Sequence, residues 1–235
     1  MIICPVCKTQ NDEYAVVCSS CKSYIQNRIA NLDFFDMVWK VIESPRSAFH
    51  DITLAEHKNY SLLLFSLFGI GLSFTGFWYF RLGARFESLL DLLAGATGTG
   101  LIVGFVSAIL FTGLYEIMVR LLGGKGSLKN SLAILAYSTT PVSLSLALIL
   151  PIELLTFGMY LFTRNPDPYT FKPAMYVTLI GTDCVLGLWA FVLGILGTAV
   201  SKQLSLIKSI ISVTAAVFVS LGALLLAAEY LLHYV

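Results

Sequence analysis

The sequence predicts an all-α polytopic membrane protein, in which a bundle of five transmembrane helices follows interfacial amphipathic helices and a small N-terminal ribbon. Of its 235 residues, 57% are hydrophobic and only 12% are charged, which is not the balance of a soluble domain. The hydrophobic residues come in blocks long enough to cross a bilayer, because about 20 helical residues span a hydrocarbon core of roughly 30 Å. The net charge is +1, and no Lys/Arg-rich patch is interleaved with aromatic residues, so no nucleic-acid partner is expected.

The N-terminal segment, residues 1–27, contains two CxxC pairs separated by a short spacer. Two residues between paired cysteines let one tight turn direct both sulfurs at one ion, and two such turns complete a tetrahedron. The predicted ligands of one zinc ion are Cys4, Cys7, Cys18 and Cys21; iron and a redox-active disulfide pair are the alternatives. Four thiolates leave no coordination position for water or substrate, so we expect a structural zinc and a cytoplasmic zinc ribbon.

Two lysines, Lys8 and Lys22, directly follow the two CxxC pairs. Glycine is usual at this position, because the turn needs the left-handed backbone conformation that glycine adopts easily. The backbone conformation of the two lysines is therefore a test of the predicted turn geometry. Their positive charges can also offset the negative charge of a zinc ion that is bound by four thiolates.

Residues 31–58 are predicted to form two amphipathic helices between the ribbon and the first span. Apolar residues recur at three- and four-residue steps, Asp33 can cap the first helix, and Pro45 ends it. Ser44 can cap the second helix. Aromatic residues such as Trp39 favour the bilayer boundary, so we expect both helices in the cytoplasmic interface. The alternative is that they pack on the bundle and close its cytoplasmic underside.

The membrane bundle is predicted to occupy residues 59–235. Its five spans are expected at about residues 60–80, 98–120, 132–161, 175–199 and 209–232. Of the 15 Lys and Arg residues, eleven lie on the N-terminal side of the membrane and four on the other side. Because Lys and Arg favour the cytoplasmic side, we expect a cell-membrane protein with its N-terminus in the cytoplasm and its C-terminus outside. A cytoplasmic ribbon also keeps its thiols reduced and free for a metal.

Small residues form stripes along the later spans, where helices in lipid associate by close backbone approach. The second span contains Gly100 and Gly104 as a GxxxG pair. One face of the fourth span carries a stripe of small or polar residues: Asp183, Gly187, Ala190, Gly194 and Thr198. These stripes predict a compact bundle in which Asp183 lies on the packing side.

The third span is expected to kink at Pro141, because proline lacks a backbone N–H. Ser138, Thr139 and Thr140 come directly before it, and their hydroxyl groups can satisfy the backbone groups that the proline frees. Pro151 predicts a second bend near the outer end of the span.

Three carboxylates interrupt the spans, and each is a candidate functional residue because a charge in hydrocarbon is costly. Glu116 lies near the cytoplasmic end, with Arg120 at the spacing of a helical ion pair. Glu153 lies near the outer end of the third span, and Asp183 lies deepest. Glu153 and Asp183 form a candidate intramembrane polar site, where they could share a proton or a cation. The alternative is a protonated Asp183 bonded to a neighbouring hydroxyl.

The sequence contains no recognisable catalytic arrangement. The motif GGKGS at 123–127 lacks the Ser or Thr of a phosphate loop, because Gly126 occupies that position and no strand precedes it. An intramembrane aspartyl protease needs two aspartates in its spans, and only Asp183 lies in one. No GxSxG or HExxH motif is present. We therefore predict no catalytic or cofactor-binding residues and a protein that is not an enzyme.

Three stretches occur in a distinctive order: VIESPRSAF before the first span, GGKGSLKNSLAILAYSTTP entering the third, and a Gly-rich fourth span followed by SKQLSLIKSI. Over about residues 34–230 this order resembles the Ypt-interacting-protein (Yip) family, in its prokaryotic form with an N-terminal zinc ribbon. The resemblance implies an integral membrane protein without established catalytic residues. Eukaryotic members act in membrane traffic and bind Rab GTPases, and they carry a DLYGP-like motif before the spans. This sequence lacks that motif, so Rab binding is not implied.

Together these features predict a non-enzymatic membrane organiser or adaptor. We expect contact with the lipid bilayer, a protein partner at the cytoplasmic ribbon, and a homo-oligomer as a further assembly. The alternative function is a small transporter or channel that uses Asp183 and Glu153.

Overall fold

The computed structural model describes residues 1–26 and 29–234, so the predicted end of the ribbon at residue 27 lies outside the described residues. In the ribbon, strand β1 (Ile2–Ile3) pairs antiparallel with strand β2 (Gln10–Asn11). Helices make up most of the remainder, which confirms the all-α class. In chain order they are α1 (Phe34–Glu43), α2 (Pro45–Leu54), α3 (Ser61–Tyr79), α4 (Leu89–Leu121), α5 (Leu128–Ser138), α6 (Thr140–Leu144), α7 (Leu150–Phe157), α8 (Pro168–Phe171), α9 (Pro173–Lys202) and α10 (Leu206–Tyr234).

Within the described residues, five helical segments are long and apolar enough to cross a membrane. They are Ser61–Tyr79, Leu89–Leu121, Thr140–Phe162, Pro173–Lys202 and Leu206–Leu231. Their side chains are largely unburied within the chain, as expected for surfaces that face lipid. The chain is therefore a multi-pass membrane protein.

Helices α1 and α2 both pack on the bundle, but they differ in how much of their aromatic surface they expose. Asp33 caps α1 by accepting a hydrogen bond from the N–H of Asp36 at 3.0 Å, as predicted. Trp39 on α1 is 67% exposed, so this helix presents an aromatic face outward. In contrast, α2 packs against α9 and buries Phe49 completely. The second helix therefore closes the underside of the bundle, and Ser44 before it makes no side-chain capping hydrogen bond.

The third membrane segment is divided at the predicted proline. The helix breaks at Thr139, between α5 and α6, and Pro141 lies in the first turn of α6. The hydroxyl of Thr140 donates to the carbonyl of Tyr137 at 2.6 Å, and that carbonyl is the one that the missing N–H of Pro141 would otherwise bond. The preceding hydroxyls of Ser138 and Thr139 also donate to carbonyls of the previous turn. The expected kink is thus confirmed, together with the way its backbone groups are satisfied.

A π-helical turn, Ser145–Ile149, follows α6 and precedes Pro151. The N–H of Leu150 bonds the carbonyl of Ser145, which widens the helix by one residue at this point. This wide turn lies directly before Pro151, where the sequence predicts a second bend. The turn directs the side chain of Ser145 toward α9, where its hydroxyl donates to Asp183.

Helices α3 and α4 approach most closely at glycines. A Cβ atom on Gly69 would lie 2.2 Å from the Cα of Gly104, and one on Gly100 would lie 2.5 Å from the Cα of Ile70. Side chains at these positions would force the two backbones apart. The GxxxG pair of the second span therefore packs on the first span, as such pairs do in membranes.

Candidate functional site

The two CxxC turns of the ribbon have the same backbone geometry. The N–H of Lys8 bonds the carbonyl of Cys4, and the N–H of Lys22 bonds the carbonyl of Cys18, both at 3.1 Å. The φ angles of Lys8 and Lys22 are 60° and 61°, in the left-handed region. Both lysines thus adopt the conformation for which glycine is usual. Each turn directs its pair of cysteines to a common centre.

The four sulfurs of the ribbon are close enough to hold one metal ion. All lie within 4.8 Å of one another, with 3.6 Å between the Sγ atoms of Cys4 and Cys21 and 3.5 Å between those of Cys7 and Cys18. A tetrahedral ion with bonds of about 2.3 Å requires sulfur separations of roughly 3.8 Å. The thiols are free, so the arrangement fits a four-thiolate metal centre rather than a disulfide pair.

Polar groups around two of the sulfurs, those of Cys4 and Cys7, favour the thiolate form. The backbone N–H of Cys7 and the hydroxyl of Ser23 lower the pKa of the Cys4 thiol to about 6. The hydroxyl and backbone N–H of Thr9 lower the pKa of Cys7. Asn11 adds a side-chain N–H at 3.6 Å from the sulfur of Cys18. Because a metal ligand must be deprotonated, these donors prepare the site for a cation.

The ribbon is fixed to the membrane bundle by one aromatic side chain. The Tyr14 hydroxyl donates to the carbonyl of Val200, near the end of α9, and the Tyr14 ring lies 5.4 Å from the ring of His50 on α2. Burial, with smaller contributions from Glu13 and Asp12, raises the pKa of Tyr14 to about 12. Tyr14 therefore remains a neutral hydrogen-bond donor at cellular pH. The sequence analysis did not identify this contact, because a lone tyrosine carries no local signal of a partner almost two hundred positions away.

A charged network lies at the end of the bundle nearest the ribbon. The Nζ atom of Lys202 is 3.0 Å from one carboxylate oxygen of Glu116 and 2.6 Å from the hydroxyl of Ser131. Arg120 donates to the other oxygen of Glu116 at 2.8 Å, which confirms the predicted helical ion pair. Lys202, counted from sequence as a loop cation, is fully buried. The network joins α4, α5 and α9.

The two remaining carboxylates come together in the half of the bundle that is farther from the ribbon. Glu153 on α7 and Asp183 on α9 interact with each other and line one cavity. Glu153 is 4% exposed, and its Oε1 atom has no hydrogen-bond partner among the described residues. Asp183 accepts from Ser145, which is the neighbouring hydroxyl that the sequence analysis considered.

The stripe of small residues on α9 does not pack along its whole length. Near the end of α9 that contacts the ribbon, Gly197 lies tightly against Ile134 and Phe49. Farther from the ribbon, a Cβ atom on Gly187 would meet nothing within 4 Å, and Gly187 lines the same cavity as Asp183. Asp183 nevertheless faces the third membrane segment, where it contacts Ser145 and Glu153. Periodicity placed these residues on one face, but part of that face borders a cavity that all five membrane segments line.

The comparison with protein families gives one match, to the Yip1 domain, over residues 39–228. No curated protein and no solved structure matches the chain. The matched region begins in α1, includes the first four membrane segments and most of the fifth, and excludes the ribbon. Since the match covers most of the sequence and agrees with the order of helices, the chain is a member of the Yip1 domain family.

Proposed function

We propose that this protein is a non-enzymatic membrane organiser or adaptor, whose cytoplasmic zinc ribbon docks a protein partner. The observation that carries the proposal is that the ribbon is attached to the bundle and exposes apolar side chains. Tyr14 holds it against the bundle, while Ile3, Val6 and Tyr24 are 58%, 69% and 66% exposed. Exposed apolar side chains on a rigid small module are typical of a surface that binds another protein.

The metal is proposed to be one structural zinc ion, held by Cys4, Cys7, Cys18 and Cys21. The sulfur separations support this assignment, and zinc is the usual ion in a closed site of four thiolates. In its described residues the ribbon has two short paired strands and one isolated bridge, so metal binding would supply most of its folding free energy.

Metal analysis of the purified full chain tests the zinc assignment. We expect one zinc per chain in the native protein, and a background level when Cys18 and Cys21 are both replaced by Ser. Cys184→Ser is the matched control, because this cysteine lies in α9 far from the ribbon, and it should retain full zinc. Stoichiometric zinc in the double variant, or stoichiometric iron in the native protein, would refute the assignment.

The N-terminus is proposed to be cytoplasmic and the C-terminus to be outside the cell membrane. The distribution of Lys and Arg supports this orientation, and five spans place the two termini on opposite sides. Epitope tags at the two termini should differ in protease sensitivity between intact cells and inverted vesicles. An N-terminal tag cleaved in intact cells would reverse the orientation and remove the ribbon from the cytoplasm.

The docking function is tested by site-specific photocrosslinking in native membranes. A photoreactive residue at Val6 or Tyr24 should yield one discrete adduct with a protein partner, and the Cys18→Ser/Cys21→Ser variant should lose it. Tyr169, which is 53% exposed on the opposite side of the bundle, is the control position and should not give that adduct. The same adduct from all three positions, or none from the ribbon, would contradict the proposal.

A homo-oligomer is a further assembly that this crosslinking can reveal. An adduct of twice the chain mass from the ribbon positions would identify a second copy as the partner. A heterologous adduct would identify a different protein.

A small transporter or channel that uses Asp183 and Glu153 is the second candidate function. Their shared intramembrane cavity supports it. Ion flux should be measured in liposomes with the native chain and with Asp183→Asn. Flux that depends on Asp183 would favour transport, whereas no flux, or equal flux in both, would remove the acid from such a mechanism.

A further inference from the structure

The outer half of the bundle contains a cavity of about 480 Å³. Side chains from all five membrane segments line it, including Phe65, Phe111, Leu146, Phe191 and Leu221. Its volume lies in the range of cavities that bind small molecules, roughly 300 to 1,000 Å³. The lining is mostly aliphatic and aromatic, so the cavity suits an alkyl chain.

Polar groups are concentrated at one place in this lining. Glu153 and Asp183 face each other there, with Ser145 donating to Asp183. The Oε1 atom of Glu153 is buried and lacks a hydrogen-bond partner among the described residues. A buried carboxylate oxygen without a donor is costly, and a second carboxyl group beside it increases the cost. A ligand that supplies hydrogen-bond donors and positive charge would remove both costs.

The ligand must bring donors and no competing negative charge. A primary ammonium offers three N–H donors and no acceptor, so it can bond Glu153 and Asp183 together. A phosphate or carboxylate headgroup would be repelled by the same pair. The π-helical turn lies beside this arrangement and contributes Ser145, whose hydroxyl bonds Asp183, while the Oε1 atom of Glu153 has no partner among the described residues. Such wide turns occur frequently at functional sites.

Packing on the cytoplasmic side indicates binding rather than conduction. Further along α4 and α9, the Tyr115 hydroxyl bonds Thr198 at 3.0 Å, and both residues are fully buried. Beyond this pair lies the network of Lys202 and Glu116. None of these side chains lines the cavity. In the described residues the cavity therefore ends within the bundle, as expected for a binding pocket.

We propose that this cavity binds an amphipathic molecule with a single alkyl chain and a protonated primary amine, held by Glu153 and Asp183. The amine lies between the two carboxyl groups, and the chain lies among the apolar side chains of the five spans. This site is independent of the docking function proposed for the ribbon.

Native mass spectrometry of the purified full chain in a non-ionic detergent tests the proposal, with dodecylamine as the probe and dodecanol as its neutral match. We expect one dodecylamine per chain, bound at least about tenfold more tightly than dodecanol, which is a typical advantage of a charge-assisted hydrogen bond. Glu153→Gln and Asp183→Asn should each abolish this preference. Glu229→Gln removes an exposed carboxyl near the end of α10 and should leave it unchanged.

A second variant tests the cavity itself. Gly187→Leu adds a side chain where a Cβ meets no atom within 4 Å, so it should fill the space without disturbing packing. We expect this variant to keep the native melting temperature and to lose dodecylamine. Equal binding of amine and alcohol, binding that persists in Glu153→Gln, binding that persists in Gly187→Leu, or no bound amine in the native chain would each overturn the proposal.

Discussion

The buried ion pair of Lys202 and Glu116 makes the sharpest stability prediction. Lys202 is fully buried, and its ammonium is 3.0 Å from the Glu116 carboxylate. Glu116→Gln keeps the shape of the side chain but leaves the ammonium without a counter-ion. Arg120 bonds the same carboxylate, yet its own side chain is 65% exposed, so it can be solvated when the pair is broken. One carboxylate thus has a buried partner and an exposed one.

The expected loss of stability follows from this difference in burial. At an effective dielectric constant of about 20, charges 3.0 Å apart attract by roughly 5 kcal/mol. Removing one partner of a buried pair typically costs about 3–5 kcal/mol, because the other charge stays buried and uncompensated. For a chain of this size, that corresponds to a melting temperature lower by roughly 6–20 °C. Arg120→Gln removes an exposed partner and should cost about 0–1 kcal/mol.

Thermal unfolding in detergent, followed by the loss of the monodisperse peak in size-exclusion chromatography, measures these effects. The Glu116→Gln/Lys202→Met double variant removes both charges of this buried pair and should recover most of the stability lost in Glu116→Gln alone. The reasoning is wrong if Glu116→Gln melts within about 2 °C of the native protein, a change of under ~1 kcal/mol. It is equally wrong if the double variant is no more stable than the single one.

Three further predictions concern contacts of single residues. Gly104→Ala should lower the melting temperature, because its Cβ would lie 2.6 Å from a backbone oxygen of α3, whereas Gly113→Ala on the same helix meets nothing and should not lower it. Asp33→Ala should destabilise α1 by about 0.5–2 kcal/mol, and Ser44→Ala, which removes no capping bond, should have little effect; circular dichroism during unfolding checks both. Tyr14→Phe should keep the ring contact but lose the hydroxyl bond, so amide hydrogen exchange in the ribbon should become roughly 2–10 times faster. An unchanged exchange rate would mean that the hydroxyl does not hold the ribbon in place.

Local signals in the sequence were sufficient for several elements. Asp33 caps α1 as its position indicated, since a cap needs only a side-chain oxygen and the nearby N–H groups. The kink before Pro141 also followed from one residue and the hydroxyl groups beside it. The second span begins at Leu89, well before the predicted start at residue 98, because Ser88 caps it and the first turns are less apolar. Hydropathy locates the apolar part of such a helix, not its first turn.

Which side chains contact each other across the bundle could not be predicted in the same way. Lys202 ends an apolar helix and has the sequence pattern of a loop cation, yet it is buried because α4 and α5 bring Glu116 and Ser131 beside it. Asp183 belongs to a stripe of small residues on α9, and the sequence does not specify which helix lies opposite that stripe. The stripe faces tight packing at one end and a cavity at the other.

The sequence by itself determined the membrane class, the number of spans and the cysteine cluster. It also determined two local features, the Asp33 cap of α1 and the kink at Pro141. Each of these depends on composition or on residues a few positions apart, where spacing fixes geometry. Tertiary structure alone decided that Tyr14 anchors the ribbon, that Lys202 is buried and that Glu153 and Asp183 share a cavity. These contacts join residues from different helices, and they depend on how the helices cross and diverge, which no local pattern encodes.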